Sequence, residues 1–367
     1  MPLSSRLAVR LAKLPHDALA EFAAQLCADD SAAAAQAEAL LAAHDPVPQW
    51  AVEGVLLSSD LVPHVLAPLE LEDGAAAAAC SAWAAGWRAT NELRRRLRQA
   101  PLEWPEDMLD LSIHMAAIPG DEERLVVRLG SRTRVLDRSM RTVVELHEGL
   151  GYVAANEQSI FLASSRVRRI SHDGTELASY VEEGRSFDFP VLAPGGLLFC
   201  VACIDDLEDE IVALHAETLE LRYRFGQSLL NEAYDMAVGG EELFVCDKRN
   251  DRLQVFSLAG EHHRSITGEW KKPKSLCCIK DRLYLVEADE DEDEDEYDED
   301  GEDRVEDGKR RGQRIFVLSL QGETLYISPP IEGHVFSDIC AFDGKLLAAY
   351  TLPGRCPVDG VIALRGV

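Results

Sequence analysis

Cys200 and Cys203 form a CxxC, a spacing that can chelate a metal or support thiol–disulfide exchange. They lie in the apolar run LLFCVACI, which reads as a strand, and residues three apart on a strand point to opposite faces. No second CxxC and no HxxxH spacing supplies further ligands, so neither metal nor redox chemistry is expected there. Asp235 and Asp338 stand at the start of two short apolar runs, DMAV and DICAF, where converging acids could serve a metal-centred hydrolase or lyase. Equivalent positions in the other repeats are neither acidic nor His, which argues against such a centre. His262 and His263 read as a solvated turn, and the other histidines are isolated. In LFVCDKRNDRLQVF, Asp247 and Arg252 can pair across strand ends while Asn250 tolerates a left-handed turn; these roles are structural. No catalytic, cofactor-binding or metal-binding residue is expected.

The elements that carry these residues repeat. The apolar residues opening each copy are Leu125, Ile160, Leu198, Leu243, Leu283 and Leu346, at steps of 35, 38, 45, 40 and 63 residues. The last step contains a charged run of roughly 22 residues, and without it the step is about 41, inside the range of repeat architectures. Each unit has a short apolar run, an apolar strand, a polar turn, a second apolar strand and a Gly-containing turn. Three or four strands per unit of about forty residues define the blades of a β-propeller, here six-bladed and all-β over 105–367. Because an open blade leaves an unpaired edge, the last blade needs a strand from elsewhere, expected between Trp104 and His114.

The net charge is -28, yet Glu287 to Asp307 alone holds 16 acidic residues and one Arg. Such a block cannot bury itself, so 287–312, with GKRRG at its end, is expected to be a disordered insertion. It replaces the turn between the second and third strands of its blade. It should therefore leave the propeller on the face that carries Lys248 to Asp251 and the acidic DDLEDE from Asp205, a surface suited to a basic protein segment. No apolar run reaches membrane-spanning length and no signal-peptide layout opens the chain, so an intracellular location, cytoplasmic or nuclear, is expected. Nine scattered cysteines then read as reduced core residues.

The unit at Leu243 resembles the NHL repeat, whose blades carry Asp, Asn and Arg between the second and third strands, here Asp247, Asn250 and Arg252. The N-terminal third differs. It is Ala-rich and helical up to a boundary near Pro101 to Pro105, making the chain an α+β multidomain protein with an all-α N-terminal region. Leu14 to Leu26 and Ala32 to Ala43, within 1–50, read as a helical hairpin, and RRRLR from Arg94 as a basic cluster at a helix end. Within 51–100, a Leu-rich helix, a second helix from Asp73 and a third with Cys80, Trp83 and Trp87 at spacings of three and four follow one another. This segment resembles the F-box, a three-helix module that docks substrate receptors onto the Skp1 subunit of cullin-type ubiquitin ligases. The resemblance implies a Skp1-docking face of Leu57, Leu61, Val65, Leu66, Leu69, Cys80 and Trp83.

Three functions follow from these parts. A non-catalytic substrate receptor would join an Skp1-like adaptor to a protein cargo, the cargo facing Lys248, Arg249, Trp270, Lys271, Lys272 and Lys274. A propeller scaffold without the ligase link is the alternative. RNA binding on the patch of Trp270 with its lysines is opposed by the neighbouring acidic loops.

Overall fold

The computed structural model describes residues 62–66, 81–90, 96–108, 113–120, 122–129, 132–146, 151–204, 208–288, 313–331, 334–351 and 360–366. The chain divides into two compact units, 1–96 and 97–365. The proposed hairpin within 1–50, the helix from Asp73 and the acidic segment 289–312 lie outside the described residues.

In the first unit, α1 (Val62–Leu66) and α2 (Ser81–Ala89) are described. Val62 and Leu66 are buried against Trp83 and Trp87. Gly86 lets the helices approach: a Cβ there would lie 2.5 Å from Val62 Cγ1. The Thr90 hydroxyl ends α2 by donating to the Gly86 carbonyl at 2.7 Å.

The second unit is a six-bladed propeller of four-stranded antiparallel sheets. Blade 1 contains β2 (Ile113–Ile118), β3 (Arg124–Leu129), β4 (Arg132–Leu136) and β5 (Thr142–Leu146). Blade 2 contains β6 (Tyr152–Ala155), β7 (Ile160–Ala163), β8 (Val167–Ile170) and β9 (Glu176–Tyr180). Blade 3 contains β10 (Ser186–Ala193), β11 (Leu197–Ile204), β12 (Glu208–His215) and β13 (Leu221–Phe225). Blade 4 contains β14 (Ala233–Gly239), β15 (Glu242–Asp247), β16 (Arg252–Ser257) and β17 (His262–Thr267). Blade 5 contains β18 (Pro273–Ile279), β19 (Arg282–Glu287), β20 (Ile315–Ser319) and β21 (Thr324–Ile327). Blade 6 contains β22 (Val335–Phe342), β23 (Lys345–Thr351) and β24 (Gly360–Arg365), completed by β1 (Arg98–Ala100). The innermost strands β2, β6, β10, β14, β18 and β22 touch in a closed cycle.

Burial explains why the second strands made the period visible. β3 and β15 pack between two neighbouring blades and are buried almost throughout, so both faces must be apolar. Outer strands such as β5 and β9 are mostly solvated and carry little pattern. The third-to-fourth strand turn is also a repeated device. In Ser171–Thr175, Ser257–Glu261 and Ser319–Glu323 the serine hydroxyl accepts the N–H four residues on, while Gly174, Gly260 and Gly322 adopt φ near 90°. A β-bulge follows at the same place in blades 1 to 5.

Closure differs from expectation. β1 supplies the missing strand, pairing Arg98 with Arg365 and Ala100 with Ala363, ahead of the window from Trp104 to His114. Trp104 instead packs on the core shared by blades 1 and 6, its indole N–H donating to the Met108 carbonyl at 3.1 Å. The propeller therefore begins within the basic RRRLR run: Leu97 packs on the core between blades 5 and 6, and Arg98 opens a strand rather than ending a helix. Replacing Arg98 and Gln99 together by Pro must remove one ladder bond, because alternate N–H groups of an edge strand face its partner. Urea denaturation of the full chain is expected to show a loss on the order of 1–3 kcal/mol.

Candidate functional site: the mouth of the central channel

Inner strands begin where second strands end, as in Ala233 opposite Asp247, Pro273 opposite Glu287 and Val335 opposite Thr351. One face of the propeller therefore carries both the starts of the inner strands and the connections between second and third strands. The flanks of the acidic segment, Ala288 and Gln313, and of the turn 205–207 belong to this face, as does Lys248–Asp251.

Between the inner strands runs a cavity of about 340 Å³, lined by all six blades along most of the length of those strands. Bulges between Asp188 and Val191, Ala233 and Met236, Pro273 and Ser275, and Phe336 and Asp338 re-aim the first residues of four inner strands. Four rings from successive blades meet there: His114 and Tyr152 at 4.3 Å between centroids, Tyr152 and Phe189 at 4.1 Å, Phe189 and Tyr234 at 4.5 Å. Lys248 Nζ sits 5.1 Å above the Tyr234 ring.

Next to this arc stands a polar chain. Asp235 accepts from Leu276 N and Met236 N at 2.8 Å each, and from the Ser275 hydroxyl at 2.9 Å. Asp338 accepts from Met115 N at 2.7 Å, and its other oxygen is 3.4 Å from Ser275 Oγ. Ser275 Oγ accepts from Ile339 N at 3.1 Å. Each of these residues thus reaches the backbone of the following blade. Burial raises the Asp235 carboxyl to about 6 and, with the charge of Asp235, holds Asp338 well above the carboxylate range. Burial likewise raises Asp188 to about 6, and lowers His114 to about 3 with help from Arg128 and Lys274.

The candidate cargo-facing residues occupy different environments, although Asp251 ties Lys271 and Lys272 to the turn of Lys248 and Arg249. Trp270 is fully buried, packed edge-on against Phe316 over Gly268, which has no Cβ to block the ring; it is core, not surface. Lys248 is also buried, and Glu232 binds both it and Arg249, at 2.8 and 2.9 Å. Lys271 is 67% exposed and paired with Asp251 at 3.0 Å, and Lys272 N donates to the same Asp. Lys274 opens β18 within electrostatic reach of His114. The RNA-binding patch of Trp270 and lysines is thereby taken apart.

Asp247 is 0% exposed and collects Asn231 N, Asn250 Nδ2, Arg252 Nε and Gln254 Nε2 between 2.7 and 3.1 Å. The left-handed residue of this turn is Asp251, at φ 52°, so Asn250 serves as a donor to Asp247 instead. His262 and His263 open β17 rather than forming a solvated turn, bonded to Gln254 Oε1 and Glu242 Oε1 at 2.8 Å. Cys200 packs into the core between blades 2 and 3 and Cys203 into the one between blades 3 and 4, opposite sides of β11. Of the implied docking face, Leu66 is buried inside its own helical unit against Trp83, and Val65 lies on α1. Leu57, Leu61, Leu69 and Cys80 lie outside the described residues.

No family model and no curated protein matches the chain. Among solved structures it is similar to a protein of unknown function from Bacteroides caccae, at 13% identity over 64% of this chain and 85% of that one, with a TM-score of 0.48. A luciferin-regenerating enzyme is similar at 10% identity over 71% and 92% of the two chains, TM-score 0.49. BamB from Moraxella catarrhalis follows at 14% identity over 68% of each chain, TM-score 0.40. No functional residue is carried over from them.

Two measurements probe the site. Asp247→Ala strands four donors in the core and is expected to cost about 3–5 kcal/mol in urea denaturation. Because Asp235 and Asp338 bind protons more tightly folded than unfolded, they lower stability progressively as pH rises from about 4 through 6 and beyond. Asp338→Asn, which keeps an acceptor for Met115 N without the charge, should raise Tm at pH 8 relative to the unaltered chain and flatten its fall between pH 5 and pH 8.

Proposed function

We propose that the chain is a non-catalytic adaptor whose propeller binds a protein segment at the channel face, while its N-terminal region couples that cargo to an Skp1-type subunit of a cullin ubiquitin ligase. The observation that carries the binding half is the make-up of the mouth. The carboxylates there are engaged by backbone N–H groups of adjacent blades, a holding arrangement, and an aromatic arc faces the opening. The acid-rich second-to-third strand connections are flanked by residues of the same face, and their charge suits a basic segment. The ligase half is supported by the sequence pattern from Leu57 through Leu71 and Asp73 to Cys80 and Trp83, with Leu66 and Trp83 packed as an internal core. Absent that link, the same propeller is a scaffold.

Affinity purification of the full chain tests both halves. An Skp1-type adaptor and a cullin are expected with the unaltered protein and should be lost from a Leu57→Lys, Leu61→Lys variant that still retains cargo. Leu66 is unsuited to this experiment, since a charge there would unfold the helix pair. If neither ligase subunit accompanies the unaltered chain, the ligase half fails. Cargo that survives deletion of Glu287 to Asp307 equally at low and moderate salt removes the role of the acidic face.

A further inference from the structure

The mouth of the channel holds more hydrogen-bonding capacity than blade-to-blade contacts use. Ser275 stands between two carboxylates, yet its single hydroxyl hydrogen can go to only one of them, Asp235 at 2.9 Å or Asp338 at 3.4 Å. Both carboxylates line the cavity. When Ser275 serves Asp235, Asp338 keeps Met115 N and the Ile339 N–H, which Ser275 Oγ also accepts. Elsewhere on the cavity wall, His114 and the Tyr152 hydroxyl make no hydrogen bond to the described residues, although both are enclosed by the channel. His114 stays neutral near pH 7 and so keeps one bare nitrogen as an acceptor. The cavity thus presents acceptors beside the faces of Tyr152 and Phe189.

We propose that this cavity is a binding site for a primary ammonium group, namely a lysine side chain of the protein segment captured by the propeller. An ammonium brings three donors on a narrow apolar stem, matching Asp235, Asp338 and a neutral acceptor from His114 or Tyr152. Aromatic faces stabilise a cation within about 6 Å by their quadrupole. Resident cations stand close by: Arg128 and Lys274 act on His114, each with an interaction of its own, and Lys248 lies over the Tyr234 ring. Burial and the charge of Asp235 favour the protonated form of Asp338, and an arriving ammonium displaces that proton to solvent. A lysine of a protein, rather than a free amine, is favoured by the acidic run whose flanks, Ala288 and Gln313, lie where the inner strands begin, because its field concentrates basic segments.

This inference rests on the channel face being the capture surface, and its test separates the two. The full chain is titrated with n-butylammonium chloride, with 1-butanol, with oligolysine and with the same peptide fully Nε-acetylated. Expected are a rise in Tm with n-butylammonium but not 1-butanol, a larger rise at pH 8 than at pH 5.5, and calorimetric proton release on binding near pH 6. Asp235→Asn and Asp338→Asn, both folded by Tm, should weaken n-butylammonium and oligolysine binding about tenfold. Equal effects of 1-butanol, or unchanged binding in both Asn variants, overturn the ammonium site. Cargo retained by those variants leaves the protein-binding reading standing while this one falls. Binding of n-butylammonium by a propeller that captures no protein gives the reverse.

Discussion

The ring stands on a contact that crosses blades: a side-chain oxygen of one blade accepting a backbone N–H at the start of the next inner strand. Asp209 holds Ala233 N, Asp235 holds Leu276 N, Ser275 holds Ile339 N, and Asp338 holds Met115 N across the closing seam. The first three lie at or just after bulges and Met115 N in an uninterrupted ladder; without a neighbouring acceptor each would be buried and unpaired. A blade is thus completed by its neighbour as well as by its own strands. The price is two carboxyls in the channel wall whose hold on a proton is strengthened by burial.

Apolar packing could not substitute for these contacts, because stacked blades are free to slide and twist as long as their faces stay covered. Directional bonds fix the rotation of one blade on the next. Between blades 2 and 3 an ion cluster takes this part: buried Glu210 receives Arg185, Arg224 and Gln227, while Glu182 binds the same two arginines and Tyr180. The seam between blades 6 and 1 adds Glu123 accepting from Asp343 N at 2.9 Å and the strand β1. Different residues meet one requirement, and a search for a constant motif misses them.

That contrast explains what could be read from the residues. Second strands are sandwiched between blades and written in apolar residues on both faces, so LFVC, LYLV and their equivalents displayed the period and the six-unit count. Turns such as SLAGE and SLQGE were equally plain, since a serine acceptor and a left-handed glycine leave little choice of residue. The closing strand was hidden because Arg98–Ala100 is three residues long and pairs mainly through its backbone, which demands no pattern. Trp270 beside three lysines looked like a surface patch; Gly268 two residues earlier was the sign of room for a buried ring. The aromatic arc needed the first strands aligned one by one: only those of Phe189 and Tyr234 carry bulges, and the connection to the second strand differs in blades 1 and 2, so the four rings stand at differing offsets from the repeat.

Holding and exposure are joined at the channel wall by their chemistry. A carboxylate aimed at a backbone N–H at the channel wall must also face the channel, because the inner strand has only the neighbouring blade on one side and the cavity on the other. Polar groups recruited to lock blades together are therefore displayed to whatever enters. Covering them with apolar side chains would leave N–H groups unpaired, and charging them fully would set Asp235 against Asp338 in a confined space. Burial next to aromatic rings instead favours the protonated form of these carboxyls.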